Sequence, residues 1–88
     1  MPHVHDQQLL NRLKRAHGHM ASIVAMVEEN RDCVDIAQQM LAVIKALEKA
    51  KTMLVSDHIE HHLEAITGPL PEAAREELKR LSDLAKYL

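Results

Sequence analysis

The chain has no Phe, no Trp and one Tyr in 88 residues. Any core must therefore be built from Leu, Ile, Val, Met and Ala, a set better suited to helices than to sheets. Glycine and proline are almost as scarce. After Pro2 the only early breaker is Gly18, and none follows until Thr67-Gly68-Pro69. Cysteine occurs once, at Cys33, which excludes an internal disulfide framework and fits a reduced compartment. Neither sign of charge dominates. The 11 Lys and Arg against 13 Asp and Glu give −2, so bulk charge does not advertise nucleic acid, although a local basic patch stays open. No stretch approaches the roughly 18 apolar residues of a membrane helix, and the start, MPHVHDQQ, has no apolar leader core. The expectation is a soluble cytoplasmic protein forming a single domain over 1–88, near the size where a core alone stabilises only marginally.

What is present is helical periodicity. Leu9, Leu13, Ala16, Met20, Ile23 and Val27 recur at alternating steps of four and three, predicting a first helix over roughly 6–29. Gly18 costs that helix about 1 kcal/mol against Ala, which calls for a packing or contact reason. In ENRDCVD, Asn30 can end one helix and Asp32 can cap the next, with Asp35 in its first turn. A second stripe runs through Cys33, Ala37, Met40, Ile44, Leu47, Lys51, Leu54, His58 and His61 or His62, predicting a helix over roughly 33–66 that TGPLP terminates. Pro71 suits the first turn of a third helix, with Leu78, Leu81 and Leu88 apolar. A 33–66 helix is roughly 50 Å long at 1.5 Å per residue. Two shorter helices cannot cover it on every side, so the sequence predicts an obligate all-α oligomer.

The segment SDHIEHHLE, residues 56–64, holds three histidines and three carboxylates. On a helix His58 and His62 lie one above the other, the spacing with which two imidazoles chelate one metal ion. Two imidazoles make a weak site. Cys33 is the best chemical partner, because thiolate with imidazole suits zinc, cobalt, nickel or copper. It precedes His58 by 25 residues, which at 100° per residue puts both on one stripe to within about 20°, yet about 37 Å apart along the axis. One straight helix cannot hold both at one ion. An antiparallel pair crossing near 46–48 brings Cys33 of one copy to His58 and His62 of the other. Cys33 also stands at a helix start, where the dipole favours negative charge. Taken alone, a cysteine on an apolar stripe is an ordinary small hydrophobe, and an i, i+4 histidine pair an ordinary solvated surface.

Enzymatic motifs are missing. The zinc-protease pattern H-E-x-x-H fails because Ile59 follows His58, and nothing provides an oxyanion hole for Cys33. His17 and His19, flanking Gly18, are read as facing solvent or a neighbouring helix. Met20, Met40 and Met53 are read as core rather than copper ligands. Three classes stay open: a metal-responsive DNA-binding repressor, a metal-binding helical oligomer with no DNA role, and a purely structural helical assembly.

The blocks RLKRAHGHMASIVAMVEENRDCVDIAQQMLAV and SDHIEHHLE resemble the CsoR/RcnR family of metal-sensing transcriptional repressors over essentially the whole chain. The matching residues include Arg12, Arg15, Gly18, Cys33, Gln38 and Gln39. The resemblance implies a three-helix protomer with one long central helix, an antiparallel dimer, and a tetramer made of two dimers. It implies operator DNA bound by the apo form without a helix-turn-helix and released on effector binding. It also implies a ligand set of Cys33 with His58 and His62 from the partner copy.

Copper sensors of this family carry Cys where this chain has His62. The nickel/cobalt branch carries His there and another near the N-terminus, matched by His3. Nitrogen donors favour Co(II) or Ni(II), with Zn(II) acceptable at the same site. His5 and His61 are alternative ligands or surface residues. A formaldehyde-sensing branch uses an N-terminal proline with the cysteine, here Pro2 and Cys33, but tends to carry a carboxylate at position 62. DNA contact falls by resemblance to Arg12 and Arg15, with Lys14 beside them, since Arg pairs bidentately with phosphate or guanine. The family often has Arg in mid-helix 2, where this chain has Ile44, leaving Lys45, Lys49 or Lys51 as substitutes.

Overall fold

The computed structural model describes residues 6–87 and contains three α-helices. They are α1 (Asp6–Glu28), α2 (Cys33–Thr67) and α3 (Glu72–Leu84), followed by a single 3-10 turn, Ala85–Tyr87. The protein is all-α, and no strand occurs among the described residues.

The helix ends follow local chemistry. Asn30 adopts a left-handed φ of 56°, Arg31 N–H donates to the Met26 carbonyl (3.0 Å), and Asn30 N–H donates to that of Val27 (3.1 Å). This is a Schellman closure, which needs a residue tolerant of positive φ. The Asp32 carbonyl accepts the first α2 bond, from Ile36 N–H at 3.1 Å. At the far end Thr67 Oγ1 donates to the Leu63 carbonyl (2.9 Å), and Gly68, at φ 85°, donates its N–H to Glu64 (2.8 Å). Pro71 stands one residue earlier than the sequence suggests. It is the extended N-cap of α3, and its carbonyl accepts from Ala74 and Arg75. The third helix gives way to the 3-10 turn after Leu84.

The chain divides into two compact units, Met1–Ala50 and Lys51–Leu88, with the boundary inside α2. In the first unit, Ala16 and Ile23 of α1 and Val43 and Ala50 of α2 are buried, while Leu9 and Ile36 are half-buried. On α1 the covered positions 9, 12, 16, 19, 23 and 26 recur at steps of three and four, two per seven, whereas on α2 they are residues 36, 43 and 50, one per seven. His19 Nε2–H donates to Gln39 Oε1 at 2.6 Å, tying α1 to α2 beside that seam. The alternate row of α1, Leu13, Met20 and Val27, is exposed. So is the α2 row of Ala37, Met40, Ile44 and Leu47. Met20 and Met40, read as core from the sequence, are therefore 46% and 50% exposed, because they lie on rows this chain does not cover.

In the second unit the half-buried face of α2 is mostly polar: Thr52, Met53, Ser56, Asp57, Glu60 and Glu64. Arg75 of α3 reaches it, with Nε 2.9 Å from Glu60 Oε1 and Nη2 3.3 Å from Glu64 Oε1. Leu54, Val55, Ile59, Leu63 and Ile66 are exposed.

Candidate functional site

His58 and His62 sit one helical turn apart near the end of α2, and both are exposed. Their ring centroids are 4.7 Å apart with planes tilted by 37°. The i, i+4 spacing has thus produced two neighbouring imidazoles on one face, with Ile59 and Leu63 beside them. His61 is exposed one position away. Among the described residues, no group of three or more His, Cys, Asp or Glu side chains is placed to hold a metal ion. The donor set fits a metal only in part: two imidazoles fill two positions of an ion that takes four or more.

Cys33, the first residue of α2, is a free and exposed thiol. Two other residues that the sequence associates with effector chemistry, Pro2 and His3, lie outside the described residues, as does His5.

The basic residues of α1 do not share one environment. Arg15 and Lys14 are exposed, whereas Arg12 is half-buried, in register with Leu9, Ala16, His19 and Ile23 on the covered face. Lys45, Lys49 and Lys51, the sequence's substitutes for a mid-helix arginine, are exposed, and so is Ile44. Of the two histidines flanking Gly18, His17 is exposed and His19 meets Gln39 of α2. A Cβ built on Gly18 meets nothing within 4 Å, so no packing within the chain requires a glycine there. The sequence reading also missed the Arg75 link to Glu60 and Glu64. Its only trace in the sequence is a pair of glutamates four apart upstream of an arginine-bearing helix.

The model of the metal-sensitive transcriptional repressor family matches residues 5–88, and the chain belongs to that family, one of repressors rather than enzymes. The copper-sensing transcriptional repressor CsoR of Mycobacterium ulcerans is 43% identical over 51 residues, covering 58% of this chain and 44% of that protein. The protein of the same name from Bacillus subtilis is 44% identical over 54 residues, 61% of this chain and 54% of its own length. The copper-sensing repressor RicR of Mycobacterium tuberculosis is 36% identical over 62 residues, 67% and 65% respectively. The chain spans about half the length of the first two relatives. No solved structure matches it. No helix among the described residues is long and apolar enough to cross a membrane.

Proposed function

We propose that this chain is a metal-responsive repressor whose apo form binds operator DNA and whose effector site forms between copies. In that site Cys33 of one protomer joins His58 and His62 of another, as an antiparallel dimer allows, and two dimers associate into a tetramer. One observation carries the reading. The paired imidazoles lie on a face of α2 that the chain leaves bare and that is apolar around them, with Leu54, Val55, Ile59 and Ile66 exposed. Such a face is unstable in water and calls for a partner, which would also supply the missing donors.

Ni(II) or Co(II), with His3 drawn in, is the effector that best suits a set of mostly nitrogen donors, and Zn(II) suits the same set. Cu(I) is the second reading, favoured by the copper-sensing relatives, although His62 offers nitrogen where soft thiolate would hold Cu(I) better. Arg15 and Lys14 are the exposed basic side chains for phosphate, and Arg12 would have to be turned outward to join them. Metal binding and DNA binding would be reciprocally coupled, typically by about 1–3 kcal/mol. Histidine ligation requires neutral imidazoles, so metal affinity falls in acid.

The test is an anaerobic titration of the purified protein with Co(II), Ni(II) and Cu(I), read by absorption and by elution of genomic DNA fragments retained on the apo protein. The expected result is an intense near-ultraviolet thiolate-to-Co(II) band saturating near one ion per protomer, absent in Cys33→Ala, with DNA eluted by the same metal. Elution by Cu(I) alone would select the copper reading. Retained DNA that no metal elutes, or no retained DNA at all, would overturn the repressor reading.

A further inference from the structure

We propose that Arg75 is a positioning residue for the His58–His62 pair, holding the end of α2 in the conformation that presents both imidazoles; this rests on the metal-site reading above. Glu60 and Glu64 interleave with the histidines in HIEHHLE and lie about 200° round the helix from His58 and His62 respectively. The same two turns therefore carry donors on one side and carboxylates on the other. Arg75 binds both carboxylates, Nε to Glu60 at 2.9 Å and Nη2 to Glu64 at 3.3 Å. It spans the very turn across which the two rings must stay in register.

The burial pattern agrees. Glu60 and Glu64 are half-buried, while His58, His61 and His62 are exposed. The guanidinium is suited to the task because its planar fork fixes direction as well as charge. The α2 helix ends only three residues after Glu64, where the final carbonyls lack intrahelical partners and the turn tends to fray. A crosslink from α3 to this last stretch opposes fraying where the ligands sit. The other arginine pairs differ: Arg80–Glu77 (3.7 Å) is local to α3, and Arg31–Glu29 (3.6 Å) lies in the α1–α2 junction.

Full-length wild type, Arg75→Ala, Arg75→Lys and Arg80→Ala would be titrated anaerobically with Co(II), alongside amide exchange of the metal-free proteins. Residues that orient metal ligands typically contribute 10- to 100-fold in affinity, so Arg75→Ala should bind Co(II) about 10-fold more weakly. Its absorption bands should shift and its amides over 58–67 should exchange faster, with overall helicity kept. Arg75→Lys should recover part of the affinity, and Arg80→Ala should match wild type. Should Arg75→Ala fail to fold, Glu64→Gln carries the same expectation in weaker form. Wild-type affinity and spectrum in Arg75→Ala, or an equal loss in Arg80→Ala, overturns the positioning role. A wild type that binds no Co(II) through Cys33 and the histidines overturns the metal-site reading itself.

Discussion

The two units of this chain use α2 in opposite ways. In Met1–Ala50, α2 turns the apolar residues Ile36, Val43 and Ala50 towards the chain's own interior. In Lys51–Leu88, its half-buried face is mostly polar and is held to α3 through Arg75 on Glu60 and Glu64. Yet both leave a row of large apolar side chains in water: Met40, Ile44 and Leu47 in the first, Val55, Ile59, Leu63 and Ile66 in the second. Only four hydrophobic residues are buried among those described, none larger than Ile23. Scattered exposed leucines need no explanation, but contiguous rows do. The candidate ligands follow the same division, with His58 and His62 standing among the bare apolar residues and away from the glutamates.

The sharpest way to break this comparison is to charge the bare row. Leu47 is 43% exposed within the chain. If that row were merely solvated, Leu47→Glu would change stability by no more than about 0.5 kcal/mol. If it is buried between copies, the variant forfeits about 2–3 kcal/mol of apolar burial per protomer and adds the cost of sequestering a carboxylate. The expected outcome is dissociation to monomer with loss of helicity, read by sedimentation velocity and circular dichroism. A stable assembly of wild-type size would remove the case for an interface on this face.

The covered row provides the next test. Val43 is 3% exposed, and Val43→Ala deletes two carbons' worth of contact, about 1.6 kcal/mol from transfer alone, with a cavity cost added. A loss of about 2 kcal/mol in urea unfolding is expected. Its assembly state should match that of the wild type at the same protein concentration, because the lesion lies inside one protomer. The two variants thus separate the two faces of one helix.

How much of this was legible in the sequence follows from the same division. The stripe through Cys33, Met40, Ile44, Leu47, Leu54 and His58 stood out because large apolar residues at steps of three and four mark a face plainly. What it marked was the face left bare, not the interior of the protomer. The interior row of Ile36, Val43 and Ala50 is hidden because three residues seven apart do not stand out among apolar neighbours as large or larger, such as Met40, Leu41, Ile44 and Leu47. Asn30, Asp32 and Gly68 were readable as helix ends, since positive φ and capping are properties of single residues. The hydrogen bond from His19 to Gln39 and the reach of Arg75 to Glu60 and Glu64 depend on how helices meet, which no local pattern encodes. The i, i+4 histidine pair was readable from its spacing, whereas a third donor is not supplied by any described residue placed beside it.

Gly18 gives the smallest effect and tests whether α1 also has a face meant for something outside the chain. It lies inside α1, where glycine costs about 1 kcal/mol relative to alanine, and a Cβ there would meet nothing within 4 Å. Its backbone φ is not in the left-handed range, since Asn30 and Gly68 are the described residues with positive φ. Neither conformation nor packing within the protomer therefore explains the residue. Gly18→Ala should raise the stability of the chain by about 1 kcal/mol, seen as a higher urea midpoint at unchanged slope. If the methyl group points only into solvent, DNA retention and oligomer size will follow wild type. Should α1 instead be approached there by DNA phosphates held by Arg15, or by another copy, the same substitution will weaken that association while stabilising the fold. A variant that is both more stable and less competent to bind would place the contact on α1 beside Gly18, because loss of folding could not account for it.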